Sequence, residues 1–196
     1  MKLKKIIDLC KKAGAFYLFE DEVNECQWLS DGFGCYPLYG VPRLDDEILC
    51  KLFVISEKAR EKLVFRHEPN LPKNLCFADS TREEVRCEEY PMLLGEGKDG
   101  VLPYKTSQGV RFIARKHLAP FDGDSGGMLE IYERTTAGGH VYFAVKVGLL
   151  LVGIVEPYDV INESFVESLG SLFAMCEVAL QNKKLQEEQM RIEDQM

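Results

Sequence analysis

Leu3, Ile6, Ile7, Cys10 and Ala13 recur at the i, i+3, i+4, i+7 spacing of one helix face, so residues 2 to 13 predict an amphipathic helix ended by Gly14. Strand-length apolar runs follow at Phe16 to Phe19, Cys26 to Leu29 and Phe33 to Tyr39. Asp31-Gly32 between the last two is a hairpin signal, because both residues tolerate positive φ. Asp45-Asp46-Glu47 sets acids at the positive end of a short helix reaching Phe53, and Ser56 to Lys62 reads as a further helical turn or two before Leu63 to Phe65.

Residues 68 to 108 are broken by Pro69, Pro72, Pro91, Pro103 and several glycines, and read as an irregular connector. Its apolar stretches, Leu75 to Phe77 and Met92 to Leu94, suggest that it packs on the body of the protein. Regular patterning resumes with strands at Val110 to Ile113, Met128 to Thr135, Val141 to Val147 and Leu149 to Val155, and a short helix or turn at Arg115 to Phe121. Consecutive hairpins of this kind predict an antiparallel sheet and an α+β fold.

From Asn162 or Ser164 a long helix is expected, with an apolar stripe of Phe165, Leu169, Leu172, Phe173, Cys176, Ala179 and Leu180. This gives one α+β domain over residues 1 to 180 and a polar helical tail over 181 to 196. Leu185, Met190 and Ile192 on that tail offer a homodimer contact through the C-terminal helix. Segments 1 to 67 and 109 to 180 are similar enough in plan to suggest two related halves, although no residue-by-residue repeat joins them.

Composition narrows the partners. A chain of 196 residues with 24 Lys and Arg against 32 Asp and Glu carries a formal charge of −8, the wrong sign for coating nucleic acid over a broad surface. The longest apolar run, Val147 to Val155, is strand-length and short of the roughly 20 residues of a membrane-spanning helix. The lysines near the start precede neither an apolar leader core nor a small-residue cleavage site, so a cytoplasmic protein is expected, with no membrane partner.

Chemical motifs are sparse. Cysteines at 10, 26, 35, 50, 76, 87 and 176 form no Cys-x-x-Cys pair, and His67, His117 and His140 supply no close ligand spacing, so neither a metal nor a cofactor is expected. Gly123-Asp124-Ser125-Gly126-Gly127 matches the nucleophile segment of chymotrypsin-like proteases. His67 with Asp79 or Asp99 would have to complete the triad. Too few residues separate His67 from Ser125 to build two barrels, so the segment reads as a loop and the protein as no enzyme; a hydrolase using Ser125 is the alternative. Adjacent pairs such as Asp45-Asp46, Glu83-Glu84 and Glu88-Glu89 diverge in a helix or strand rather than sharing a site, and the glycine clusters match no phosphate-binding loop.

Charge is unevenly spread. Lys2, Lys4, Lys5, Lys11 and Lys12 against Asp8 give the first twelve residues a local +4 and leave about −12 on the rest. Glu20, Asp21, Glu22 and Glu25 form the densest acidic cluster of the first half, on an expected hairpin tip where charge can reverse at little cost to the fold. These four are the expected partner-binding residues, imitating phosphates toward a basic surface. Lys4, Lys5, Lys11 and Lys12 are the other candidates, contacting RNA or DNA held by that partner.

The run Gln27-Trp-Leu-Ser-Asp-Gly-Phe-Gly-Cys-Tyr-Pro-Leu-Tyr-Gly-Val-Pro-Arg-Leu44, the helix after it, Ile55-Ser-Glu-Lys58, and the block Tyr142 to Pro157 resemble small proteins of prophages and conjugative elements in gut Firmicutes. Within that group the chain resembles a type II-A anti-CRISPR family. The resemblance implies a non-enzymatic protein that binds a bacterial CRISPR effector nuclease, alone or with its guide RNA, and blocks nucleic-acid engagement. It carries over no individual functional residue. A second resemblance, in the helix followed by hairpins with a Trp-Leu-Ser-Asp-Gly turn and a strand ending in Val-Glu-Pro, is to the repeating unit of DNA sliding clamps, which implies a ring-forming replication accessory protein.

Overall fold

The computed structural model describes residues 2–95, 97, 100–121 and 129–159, with 165, 167, 169–171, 174–182 and 185 of the C-terminal segment. Met1–Tyr158 forms one compact unit and Asp159–Met196 a second.

The first unit opens with helix α1, Leu3–Ala13, which buries Ile6, Ile7, Leu9 and Cys10. Gly14 caps it in the left-handed conformation, φ 76°, and returns its N–H to the Cys10 carbonyl. Strands β1 (Ala15–Asp21), β2 (Cys26–Ser30) and β3 (Gly34–Pro37) follow as a meander, then helices α2 (Asp46–Leu52) and α3 (Glu57–Arg60). Asp45 caps α2 by accepting from the Ile48 N–H at 2.8 Å, and Ser56 caps α3 through Ala59 at 3.3 Å. Strand β4, Val64–Glu68, returns beside β1 and runs parallel to it, the parallel pairing in an otherwise antiparallel sheet.

Strands β5 (Val85–Arg86), β6 (Glu88–Glu89), β7 (Val101–Thr106), β8 (Gly109–Ala114), β9 (Leu129–Thr135), β10 (Val141–Val147) and β11 (Leu150–Val155) complete the unit. Eight strands make one sheet in the order β4-β1-β2-β3-β11-β10-β9-β5, and β6-β7-β8 make a second. The two chain segments read as separate halves therefore meet inside one sheet, where Ile154 pairs with Cys35 and Val155 with Gly34. The fold is α+β, as the hairpin pattern implies.

Both faces of the large sheet are covered. Phe16, Leu18, Leu29, Phe143, Val145 and Val155 point to one face, where α1, Leu49 of α2 and Tyr104 and Ile113 of the second sheet join them. On the other face lie Trp28, Cys35, Tyr142, Ala144, Leu151 and Ile154. Leu71, Leu75 and Phe77 of the connector pack against this second cluster, with the Phe77 ring edge-on to Trp28 at 4.9 Å between centroids. The connector thus roofs the sheet through Leu71, Leu75 and Phe77, whereas Met92, Leu93 and Leu94, the other stretch expected to pack, are exposed; it also contains β7, which the sequence reading leaves irregular.

Polar anchoring of that roof is buried. Arg134 donates to the carbonyls of Cys76 and Ala78, each at 2.9 Å, and pairs with Glu84 at 2.6 Å. Lys146 reaches the other Glu84 oxygen, also at 2.6 Å, and sits over the Tyr132 ring.

Of the C-terminal segment, residues 174–182 are helical, as are the described positions between 165 and 171 and Leu185. Phe165, Leu169, Leu180 and Leu185 are exposed there. The expected start at Asn162 or Ser164, stripe residues Leu172 and Phe173, and Met190 and Ile192 lie outside the described residues.

Candidate functional site

Two charged surfaces correspond to the residues singled out in the sequence. The first is the turn between β1 and β2. Asp21 ends β1 at 3% exposure and accepts from the Asn24 backbone N–H at 3.1 Å, the Asn24 side chain at 2.8 Å and the Trp28 indole at 3.1 Å. Burial pushes its carboxyl upward, but these hydrogen bonds outweigh burial and hold it below the usual carboxylate value. Glu20 is also engaged, accepting from Gln27 Nε2 at 2.7 Å and lying 3.7 Å from Arg43. Gln27 in turn bonds the backbone N–H and carbonyl of Leu44, so this end of the cluster fixes the segment after β3.

Glu22 and Glu25 alone of the four are exposed. Glu25 stands in the left-handed region at φ 53°. The structure therefore divides the acidic cluster into two carboxylates that build the turn and two that face solvent. That division is invisible in a string of acids, because the partner of Asp21 is an indole on the opposite strand.

The second surface is a groove of about 640 Å³ lined by Lys5, Asp8, Leu9, Lys11 and Lys12 of α1, by Arg115, Lys116 and Ala119, and by Gly97. Lys5, Asp8, Leu9 and Lys12 follow the helical repeat and present one stripe. Lys5 Nζ donates to the Ala119 carbonyl at 2.8 Å, and the Lys2 N–H to that of Pro120 at 2.8 Å, which fastens α1 to the 3-10 turn Ala119–Phe121. Lys11 Nζ donates to the Phe53 carbonyl at 3.0 Å. Lys4 is exposed and does not line the groove. Arg115 and Lys116 are not among the residues the sequence singles out; the basic run Arg115-Lys116-His117 is the signal that marks them.

The wall that carries them is anchored from beneath. Arg115–His117 is a 3-10 turn whose His117 is buried, with Nδ1 3.7 Å from Asp31 Oδ2. Tyr36 donates its hydroxyl to the His117 carbonyl at 2.9 Å. Asp31 also accepts from the N–H groups of Phe33 and Gly34, closing the turn that precedes β3. Burial lowers the His117 pKa, Asp31 opposes that shift and Lys116 adds to it.

For nucleophilic chemistry the geometry offers less. The Gly123 to Gly127 segment with Ser125 lies outside the described residues, as does Asp99. His67 lies 2.6 Å from Asp46, while Asp79 accepts from the Leu151 N–H at 2.9 Å, so these two are not brought together. All seven cysteines are free thiols. Burial raises Cys10 and Cys35 strongly, and pushes Cys26 and Cys87 up to about 11, which keeps them protonated at neutral pH. Among the described residues no group of three His, Cys, Asp or Glu is placed to hold a metal ion, and no helix is long and apolar enough to cross a membrane.

No family model matches the chain, and neither a curated protein nor a solved structure is similar enough to assign a relative.

Proposed function

We infer that this is a non-enzymatic binding protein that inhibits a bacterial RNA-guided nuclease by occupying the surface where the nuclease engages nucleic acid. The observation that supports this reading is the preorganised acidic tip: Glu22 and Glu25 are exposed on a turn whose backbone is held from below by Asp21, Asn24 and Trp28. Carboxylates on a fixed turn lose little freedom on binding and can meet lysines and arginines that otherwise contact phosphates. The resemblance of Gln27 to Leu44 and of Tyr142 to Pro157 to the type II-A inhibitor family gives the class of partner.

A cleavage assay tests it. Purified type II-A effector loaded with guide RNA is given target DNA, with and without a tenfold excess of the protein. Loss of cleavage is expected, together with a salt-sensitive association that slows when Glu22→Lys and Glu25→Lys are combined. Unchanged cleavage with the excess present would refute the assignment.

A further inference from the structure

The groove between α1 and the Arg115–His117 turn has no part in the acidic-tip reading, and its chemistry is opposite. The chain has 24 Lys and Arg for 32 Asp and Glu, yet Lys11, Lys12, Arg115 and Lys116 all line this one groove. Lys11 and Lys12 have an ordinary reason to be there, since the last turn of a helix favours cations. That reason does not extend to Arg115 and Lys116, which come from a different element more than 100 residues later. Two unrelated segments therefore bring positive charge to one concavity.

The groove is also shaped for something small. Its volume of about 640 Å³ falls within the roughly 300 to 1,000 Å³ of small-molecule sites. Leu9 and Ala119 are the apolar side chains of the lining. Arg115 brings a planar fork suited to two oxygens of one phosphate, and the lysines bring point charges for others.

We propose that this groove is a binding site for a multiply charged phosphate ester of nucleotide size, with Lys12, Arg115 and Lys116 neutralising its phosphates and Leu9 and Ala119 contacting its organic part. The same chemistry is supplied by a free nucleoside triphosphate or by the 5′-phosphorylated end of a single strand. The Tyr36 hydroxyl, donating to the His117 carbonyl at 2.9 Å, anchors the backbone of the turn that carries Arg115 and Lys116.

Titration calorimetry on the full chain at 50 mM salt separates the sources, with ATP, sodium tripolyphosphate, and hexathymidylate with and without a 5′-phosphate as probes. ATP binding more tightly than tripolyphosphate and either oligonucleotide supports the site with a free nucleotide as ligand. Tighter binding of the 5′-phosphorylated strand than of its unphosphorylated form and of ATP supports it with a strand end. In either case Lys12→Gln combined with Arg115→Gln is expected to weaken binding at least tenfold. Lys116→Gln alone is expected to weaken it several-fold, and Glu22→Gln with Glu25→Gln to leave it unchanged. Thermal melts confirm that each variant is folded, and Lys116→Gln serves alone should the double variant melt early. No saturable binding of any probe at millimolar concentration, binding of tripolyphosphate as tight as the tightest of the other probes, equal binding of the two oligonucleotides with neither weaker than ATP, or affinity unmoved by the groove substitutions would overturn the proposal. None of these measurements involves a nuclease, so their failure leaves the inhibitor reading standing, and the reverse holds.

Discussion

Trp28 and Asp21 close the first hairpin from its buried side: the indole N–H donates to Asp21 Oδ2 at 3.1 Å while the same carboxylate receives both N–H groups of Asn24. An acid on this turn is thus a structural element, and the charge offered to a partner is carried by its neighbours.

Asp21→Ala is expected to cost about 2 kcal/mol, because it strands a buried indole donor and the turn amide. Glu22→Ala and Glu25→Ala should each stay within about 0.5 kcal/mol of the parent, as exposed positions do. Urea unfolding at pH 7 checks both. The folded-state pKa of Asp21 lies below its ordinary 3.8, so its contribution is fully present above that value and is lost as pH falls through the lower folded value. The cost of Asp21→Ala should therefore shrink on acidification below about pH 4.

Much of the fold is legible in the sequence because burial follows period. The i, i+3, i+4 stripe finds Ile6, Ile7 and Cys10, and the nearly unbroken apolar run Val141 to Val147 marks β10, whose two sides feed the two cores. What period cannot show is pairing across the chain. β4 reads as a short apolar run, and only its partner β1 makes it a parallel edge strand. β7 is hidden by Pro103, yet the Pro103 carbonyl still accepts from the Tyr90 N–H at 3.0 Å, so the proline removes a donor without ending the strand. At the candidate site, α1 lysines are legible as a charge run, whereas Arg115 and Lys116 join them only through tertiary packing.

Glu84 faces two cations at once, Arg134 and Lys146, each at 2.6 Å and each almost fully buried. Glu84→Ala would leave both charges uncompensated, at a cost of about 3 to 5 kcal/mol. Because Arg134 also holds the carbonyls of Cys76 and Ala78, the connector should loosen first. Faster amide exchange over residues 71 to 86, with α1 still protected, is the expected signature; uniform loss of protection would show that the network does not act locally.

Val54 carries a β-branched side chain at φ 50° and is 88% exposed, so it bears left-handed strain with little burial in return. Val54→Gly is expected to raise stability by up to about 1 kcal/mol, the strain relieved exceeding the added freedom of the unfolded chain. Val54→Ala keeps most of the strain and should gain less. Equal denaturation midpoints for the glycine variant and the parent would mean that the valine makes up the strain by contact.

His117 gives the last expectation, a pH slope in the range where no ordinary carboxylate titrates. Burial lowers its pKa from 6.5, so the unfolded chain takes up a proton that the folded chain resists. Below about pH 6.5 the unfolded state binds more protons, and stability should fall with pH by at most about 1.4 kcal/mol per unit until the folded-state value is reached. Asp31 at 3.7 Å pulls the other way, and Lys116 assists burial. His117→Asn removes the titrating ring, while the backbone carbonyl that receives the Tyr36 hydroxyl remains. The variant should be less stable at pH 7.5, where the packing of the ring is lost, yet show a flatter stability profile between pH 7 and 5. Chemical denaturation of both proteins across that range decides it: parallel profiles would assign the slope to another group, and a parent that gains stability on acidification would mean that the attraction of Asp31 outweighs burial.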